Sequence, residues 1–301
     1  MSTRALQAGV LDRRTAAFRQ VASDYLELTK PKVQSLLLLT TVTTMEVAGD
    51  PSAAKVALCC LGGYLSAGGA GAVNHYYDRD IDAQMKRTAT RPIPAGRVSP
   101  HAALAFGCSL AATSFVLMSL TLNVLAASLA LAGFAGYVGI YTVWLKRRTA
   151  QNIVIGGAAG AMPPLVGWAA TRGSLSWTAV YLFAIVFYWT PPHFWALSLL
   201  MKDEYAKVGV PMLPVVRGEP ETRRQILLYS LLLYAVTQLP FCAGGFGLTY
   251  LVCSIVLGLA FLAYAIRLYR HPTRRAALSL YLYSLAYLAL LFAAMVASVK
   301  L

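Results

Sequence analysis

Three oxygen-bearing side chains follow the second long apolar stretch of the sequence at intervals of four residues. Asn74, Asp78 and Asp82 stand at positions i, i+4 and i+8, so a continuing helix would place them on one face. Polar and charged side chains at the mouth of a membrane helix are costly unless a positive charge satisfies them. A hydrated Mg²⁺ ion held by one or two carboxylates and a substrate phosphate supplies that charge. The spacing therefore indicates a site for a magnesium-bound phosphate group.

The alternative interpretation of this segment is a helix end that carries solvated charges and binds no ligand. Asp80 lies between the two other aspartates, so residues 78–82 contain three of the twelve acidic residues of the chain. This local concentration favours a binding site, because the rest of the sequence uses acidic residues sparingly.

The composition is typical of a membrane protein. Of the 301 residues, 58% are hydrophobic and 13% are charged, whereas a soluble domain carries about 25% charged residues. A helix of about 20 apolar residues crosses the hydrocarbon layer. The sequence predicts nine such spans, at 25–47, 53–77, 101–120, 123–144, 151–170, 175–200, 224–243, 246–266 and 277–298. The paired prolines at 163–164 and 191–192 predict that the fifth and sixth helices are broken.

The basic residues alternate between the predicted loops. Of the 26 lysines and arginines, 23 fall in the N-terminal region and in the loops after the second, fourth, sixth and eighth spans. Basic loops stay in the cytoplasm, so we expect a cytoplasmic N-terminus and an outside C-terminus, in a bacterial inner membrane. The net charge of +14 is then explained by orientation in a lipid bilayer, and we expect no nucleic acid partner.

A second acid-bearing loop follows the sixth span, on the same predicted face as the first. It begins with Lys202-Asp203-Glu204-Tyr205 and continues to the segment 211–216. Carboxylates from two such loops suit a Mg²⁺–diphosphate group, because the acids hold the metal while lysines and arginines neutralise the leaving group. Departure of the diphosphate leaves a carbocation, which an apolar cavity with aromatic walls would shield from water.

These residues resemble the UbiA superfamily of intramembrane prenyltransferases, and within it the branch that farnesylates heme. The run from Asn74 to Asp82 is similar to the first aspartate-rich motif of the superfamily, and the runs 190–197 (TPPHFWAL) and 211–216 (PMLPVV) single out the heme branch. Further similar stretches are 28–31, 91–97 and 141–168. The resemblance implies an all-α polytopic membrane protein with nine transmembrane helices bundled around a central cavity. We expect a cytoplasmic tail over residues 1–24 and a single membrane-embedded prenyltransferase domain over residues 25–301.

The resemblance implies a reaction in which farnesyl diphosphate alkylates a vinyl group of heme B, so that heme O and diphosphate are formed. Mg²⁺ is then the cofactor, and heme B is a substrate rather than a permanent group. The implied catalytic and metal-binding residues are Asn74, Asp78, Asp82 and Asp203. The second superfamily motif is DxxxD, from which the run 201–205 (MKDEY) departs. Whether Asp203 binds the metal directly or through water therefore stays open.

Other residues are candidates for holding the two substrates. The diphosphate candidates are Lys86, Arg87, Arg91, Lys146, Arg147 and Lys202, for each of which membrane orientation is an alternative role. The candidates for the heme or substrate pocket are His193, Trp195, Tyr205, His75, Tyr141 and Asn152. His193 is the best candidate for orienting the heme or ligating its iron, with helix packing as the alternative, and His75 is the second choice. The expected partners are the bilayer and heme-modifying or terminal-oxidase assembly proteins.

Two other functions are compatible with these features. A UbiA-type enzyme for another acceptor (an aromatic acid, a quinone precursor or a chlorin) would keep the fold, although the runs 190–197 and 211–216 speak against it. A membrane transporter would also contain broken helices. Transport predicts acidic residues near the middle of the bilayer, whereas here the acidic residues gather at one face, which favours chemistry on a lipid-tailed substrate.

Overall fold

The computed structural model of the protein describes residues 18–300, and every regular element in that range is a helix. The predicted all-α fold is therefore confirmed. Most of the tail predicted for residues 1–24 lies outside the described range, as does residue 301. The long helices are α1 (Pro31–Ala48), α2 (Ala53–Tyr77), α3 (Pro100–Thr121), α4 (Val124–Leu145), α5 (Asn152–Arg172), α6 (Trp177–Leu200), α7 (Gly218–Cys242), α8 (Leu248–Arg270) and α9 (Arg274–Lys300). Short helices cover Arg79–Asp82, Lys202–Lys207 and Leu213–Val216.

Seven of these helices are long and apolar enough to cross a membrane, so the chain is an integral membrane protein. The helices α1 and α6 are not among the seven. The helix α1 has only 18 residues and carries several threonines, and α6 contains two prolines and a histidine. The predicted number of nine transmembrane helices is thus not confirmed, although the described residues form nine long helices.

The first span begins six residues later than the sequence predicts. Residues 18–28 form a separate helical segment, and α1 starts at Pro31. Lys30 between them adopts a left-handed conformation with φ of 54°. Proline disfavours the helical conformation of the residue before it and lacks the N–H that a first helical turn leaves free. The chain therefore breaks at Lys30.

The two proline pairs have different effects. The span α5 divides at Ala161 into Asn152–Gly160 and Met162–Arg172, as predicted. The span α6 is one continuous helix with Pro191 and Pro192 inside it, so the prediction of a broken sixth helix was wrong. A proline removes only its own donor, and the buried side chains of Trp189 and Trp195 anchor this helix on both sides of the pair.

Close helix packing fixes the end of α2, where the first acidic motif lies. The backbones of α2 and α3 meet at Gly69 and Gly107. A Cβ atom on Gly69 would lie 2.6 Å from the carbonyl oxygen of Gly107, and one on Gly107 would lie 2.7 Å from that of Gly69. The two acid-bearing loops lie at the same end of the bundle, where Lys207 Nζ donates to the carbonyl of Gln84 over 3.4 Å.

Candidate active site

The predicted neighbours Asn74 and Asp78 are in direct contact at the end of α2. Both side chains are buried, and Asn74 Nδ2 donates to Asp78 Oδ2 over 2.7 Å. Although α2 ends at Tyr77, the backbone N–H of Asp78 still donates to Asn74 O (2.9 Å) and that of Asp82 to Asp78 O (2.8 Å). This i→i+4 continuity preserves the shared face that the sequence spacing predicts.

Three cations from separate parts of the chain neutralise this motif. Lys30 donates to Asn74 Oδ1 and Lys146 forms an ion pair with Asp78 Oδ2. Arg91 Nη1 lies 2.6 Å from Asp82 Oδ2. Buried carboxylates need such partners, because an unpaired buried charge is strongly destabilising.

A π-helical segment brings α4 into the site. Residues Gly136–Leu145 form a π-helix, and the N–H of Lys146 continues its pattern by donating to Tyr141 O over 2.8 Å. The wider turn places the Thr142 hydroxyl 3.1 Å from Asn74 Nδ2 and the Lys146 ammonium on Asp78. Segments of π-helix are rare and are frequent at functional sites.

Arg147 closes the outer side of this cluster. Its guanidinium donates two hydrogen bonds of 2.6 Å to the exposed carboxylate of Asp80 and one of 2.8 Å to Tyr77 O. The hydrogen bond from Arg147 lowers the pKa of Asp80, and the same bond raises the pKa of Arg147. Arg147 Nη2 is also 3.9 Å from Asp78 Oδ1, which is beyond hydrogen-bond distance.

Lys30 is a site residue that the sequence prediction missed. Besides Asn74, its ammonium contacts the hydroxyl of Tyr137 at 3.4 Å. Burial and the positive charges of Arg91 and Lys146 lower the pKa of Lys30 to about 7, against the opposing effect of Asp78 and Asp82. The available signal was a lysine placed directly before a proline at the start of an apolar span.

The second loop contributes differently from the sequence prediction. Asp203 is exposed and forms no ion pair within residues 18–300, and Lys202 pairs with Glu219 at 3.1 Å. The Oε2 atom of Glu204 is buried and has no hydrogen-bond partner in that range. The neighbouring Tyr205 is buried, which raises the pKa of its hydroxyl. Glu204 and Tyr205, rather than Lys202 and Asp203, are the second-loop residues directed into the protein.

Charges of the first loop also act on Tyr205. Burial is the main cause of the raised pKa of Tyr205. The positive charge of Arg87 lowers that pKa, and the negative charge of Asp78 raises it. The two acid-bearing loops therefore lie within electrostatic reach of one another. Arg87 and Lys86 themselves are exposed.

The remaining predicted pocket residues occupy three separate environments. His75 is fully buried, and neither ring nitrogen has a hydrogen-bond partner within the described chain. Tyr141 packs against Tyr137 with ring centroids 5.4 Å apart, next to the acidic motif. Asn152 donates to Thr149 O over 2.7 Å and thus shapes the turn after Lys146.

The other two predicted pocket residues, Trp195 and His193, lie on α6. The ring of Trp195 meets that of Tyr229 edge-on, with centroids 5.2 Å apart. Nδ1 of His193 lies 2.6 Å from Ser284 Oγ.

An apolar cavity of about 190 Å³ begins beside the motif and lies between α1, α2, α4 and α5. Lys30, Gly71 and Tyr137 line the end nearest the acidic cluster, and Gly63 and Val166 line the deeper part. The eight residues from Gly71 to Gly63 correspond to about 12 Å along the helix. Lys30 both donates to Asn74 Oδ1 and lines this cavity. The arrangement joins a polar, charged end to an elongated apolar space.

The oxygen donors of the motif fit a magnesium ion that shares its ligands with a phosphate. No group of three or more histidine, cysteine, aspartate or glutamate side chains within residues 18–300 is arranged to hold a metal ion. Mg²⁺, however, is held by one or two carboxylates together with substrate phosphates and water. Asp78 Oδ1 and Glu204 Oε2 are buried oxygens without a hydrogen-bond partner in the described chain, so both have capacity for such a ligand.

The family of the protein follows from comparison with known sequences. The UbiA prenyltransferase family matches residues 36–296. The chain belongs to this family. The family assignment agrees with the acidic motif at residues 74–82 and with the helical bundle described above.

Several members of this family with similar sequences are named protoheme IX farnesyltransferase. Protoheme IX farnesyltransferase of Chloroflexus aurantiacus is 55% identical over 292 residues, which are 96% of this chain and 49% of that protein. The protein of the same name from Roseiflexus sp. is 55% identical, over 90% of this chain and 51% of its own length. This chain thus spans about half the length of these relatives. For protoheme IX farnesyltransferase of Symbiobacterium thermophilum, 52% identity extends over 93% of this chain and 95% of that protein.

Solved structures share the fold of this family member. The structure of a digeranylgeranylglyceryl phosphate synthase superimposes with a TM-score of 0.78 at 19% identity, covering 94% of this chain and all of that one. A UbiA homologue from Archaeoglobus fulgidus bound to DMAPP and Mg²⁺ gives a TM-score of 0.69 at 16% identity, over 92% of this chain and 99% of that one. At such identities the similarity establishes the fold alone.

Proposed function

We propose that this chain transfers the farnesyl group of farnesyl diphosphate to a vinyl group of heme B and so forms heme O. The observation that carries the prenyl transfer is the convergence of Lys30, Asn74, Asp78 and Lys146 at the mouth of an apolar cavity. A diphosphate with an isoprenoid tail has the same division into a charged head and an apolar chain. The choice of heme as the acceptor is supported by the name of the relatives, including one that this chain covers almost completely.

The metal in this proposal is Mg²⁺ that binds together with the diphosphate. Asn74, Asp78 and Asp82 would hold it from the first loop, and Glu204 is the best-placed acid of the second. When bound, Mg²⁺ neutralises the charge that develops on the departing phosphate oxygens. The oxygen-only donor set and the unpartnered oxygens of Asp78 and Glu204 support this assignment.

The residues of the chain would act first on the leaving group. Lys146 and Arg91 already pair with the carboxylates of Asp78 and Asp82, and Lys30 donates to the amide oxygen of Asn74. All three would donate to the diphosphate oxygens as the carbon–oxygen bond of the prenyl donor breaks. Tyr137 and the apolar lining would exclude water from the resulting allylic cation. Early water capture would release farnesol, so exclusion of water decides between transfer and hydrolysis.

The atoms of the transfer balance with one water molecule. The terminal vinyl carbon of heme forms a bond to the first carbon of the farnesyl cation, and the positive charge moves to the vinyl carbon attached to the porphyrin ring. Water adds to that carbon as a hydroxyl group, and one proton is released to solvent. The products are a hydroxyethylfarnesyl heme, diphosphate and a proton, and no oxidant or reductant is consumed.

We also propose that the site lies at the cytoplasmic face of a bacterial inner membrane. The concentration of lysines and arginines at the end of the bundle with both acidic loops supports this orientation, with the N-terminus in the cytoplasm and the C-terminus outside. Residues 25–301 would act as one prenyltransferase domain. Proteins that modify heme further or assemble terminal oxidases are the expected partners.

The experiment that tests the function is a choice of acceptors. The purified chain is incubated with Mg²⁺, farnesyl diphosphate and either heme B or an aromatic acid such as 4-hydroxybenzoate, and the products are separated by mass. We expect heme to gain a farnesyl group and one hydroxyl group, with no reaction of the aromatic acid. Prenylation of the aromatic acid with heme unchanged would replace this proposal by that of a quinone-pathway enzyme.

A further inference from the structure

His193 lies between aromatic side chains of α6 and α9. Its imidazole ring is stacked between Trp189, at 4.2 Å between centroids and 19° between planes, and Tyr281, at 5.0 Å and 29°. Trp189 is itself fixed, because its Nε1 donates to Ser284 O over 2.8 Å. Both faces of the imidazole are therefore covered, and only its edge is available to other groups.

The hydrogen bonds around Ser284 determine which ring nitrogen carries the proton. Ser284 Oγ donates its single proton to Tyr281 O over 2.6 Å. The hydroxyl can then only accept from His193 Nδ1, which lies 2.6 Å away. Neutral His193 consequently carries its proton on Nδ1, and Nε2 keeps a free electron pair. No residue within 18–300 forms a hydrogen bond to Nε2.

This arrangement is that of a metal-binding histidine. Histidines that ligate metals commonly donate the other ring N–H to an oxygen acceptor, which fixes the tautomer and the ring orientation. His193 falls in the sixth span that the sequence predicts, and an ionisable residue in such a segment is by default a functional residue. His193 lies seven residues before the end of α6, about 10 Å deeper than the helix end that carries the second loop. The imidazole donor Nε2 therefore lies about two helical turns from the end of α6 that carries the second loop.

We propose that Nε2 of His193 is an axial ligand to the iron of the heme substrate, and that Ser284 is its positioning residue. The inference rests on the proposed function for the presence of heme. Ligation would fix the distance of the porphyrin from α6 and leave its rotation about the iron–nitrogen bond to the surrounding side chains. His75, the other buried histidine, has neither ring nitrogen fixed by an acceptor within the described chain.

The test is a spectroscopic one that does not depend on turnover. The full chain in detergent is titrated with heme B, reduced, and examined by resonance Raman spectroscopy for the iron–histidine stretching band. We expect the band in the unaltered protein and in His271→Ala, whose exposed histidine lies between α8 and α9. His193→Gly should lose the band and recover it when imidazole is added, since imidazole can occupy the vacated position.

A second variant, Ser284→Ala, tests the ligand assignment even if His193→Gly fails to fold. Ser284→Ala keeps His193 and the backbone carbonyl that holds Trp189 but removes the acceptor of Nδ1–H. We expect the band to move to lower frequency and the heme affinity to fall about tenfold, at the lower end of what the loss of such a partner costs. An unchanged band in both variants, with normal farnesyl transfer by the unaltered protein, would overturn the ligand assignment and leave the proposed function intact. A protein that neither binds nor alkylates heme would refute both proposals.

Discussion

The two acid-bearing loops of this protein lie at the same end of the bundle but hold their carboxylates differently. In the first loop, Asp78 and Asp82 are buried. Asp78 is paired with Lys146 at the end of α4, and Asp82 is paired with Arg91 farther along the same loop. In the second loop, Asp203 is exposed, and only one oxygen of Glu204 is buried without a partner among the described residues. The first loop is preorganised for its ligand, whereas the second offers a single unsatisfied acid.

The difference teaches where the binding energy of a diphosphate can come from. The positive charges of Lys30 and Lys146 repel one another, and the negative charges of Asp78 and Asp82 offset that repulsion. An incoming diphosphate exchanges those partners for its own oxygens without a large rearrangement, as preorganised electrostatic stabilisation requires. The second loop has no comparable set of buried ion pairs, so we expect it to contribute less.

The largest predicted effect is that of removing the central acid of the first loop. Asp78→Asn should lower kcat by about 10²–10³-fold, the range for loss of one preorganised electrostatic group. It should also destabilise the fold by about 3–5 kcal/mol, because Lys146 remains buried without its partner. Heme farnesylation and chemical denaturation in detergent measure the two effects.

The matched control is an acid on the surface of α7. Glu221 forms an i,i+3 pair with Arg224, so Glu221→Gln should leave turnover and the denaturation midpoint close to those of the unaltered protein. Asp78→Asn turnover within twofold of the unaltered protein would show that the first loop does not hold the diphosphate.

The second prediction compares the two neighbouring acids of the second loop. Glu204→Gln should raise the Mg²⁺ concentration for half-maximal turnover by about tenfold, whereas Asp203→Asn should raise it less, because only Glu204 has a buried free oxygen. Magnesium titrations of farnesyl transfer give both values. The opposite ranking would favour the sequence-based assignment of Asp203 and contradict the difference between the loops described here.

Much of the fold was predictable because bilayer thickness constrains the sequence directly. Apolar runs of about 20 residues marked the spans, and Pro163-Pro164 marked the break in α5. The same reasoning failed at Pro191-Pro192, because packing kept α6 continuous. Local sequence does not show which prolines neighbouring helices will tolerate.

The contacts of the site that follow from regular helical spacing could be predicted from the sequence. Those that depend on an unusual backbone conformation could not. The four-residue interval between Asn74 and Asp78 was enough to predict their contact. The positions of Lys30 and Thr142 depend on a left-handed residue and on a π-helix, for which the sequence carries no periodic pattern. The sequence motif pointed to Asp203. It could not show that the carboxylate of the next residue, Glu204, is the buried one.

The smallest predicted effect concerns Lys30 and pH. Burial lowers the pKa of Lys30 to about 7, so the ammonium is charged below that pH and increasingly neutral above it. A diphosphate binds the charged form, so KM for farnesyl diphosphate should rise with pH. One unit above the pKa the charged fraction is about one tenth, which limits the effect to about tenfold, equivalent to 1.4 kcal/mol. Between about pH 6 and 8 the charged fraction falls from about nine tenths to about one tenth, so we expect KM to rise by up to about tenfold.

Lys30→Arg separates this titration from that of the diphosphate itself. Arginine remains charged throughout this range, so the variant should keep the pH dependence of the substrate and lose the part that belongs to Lys30. Steady-state kinetics at fixed Mg²⁺ provide KM for both proteins. Identical pH profiles would mean that Lys30 does not bind the diphosphate, and the preorganised cations of the first loop would then be Lys146 and Arg91 alone.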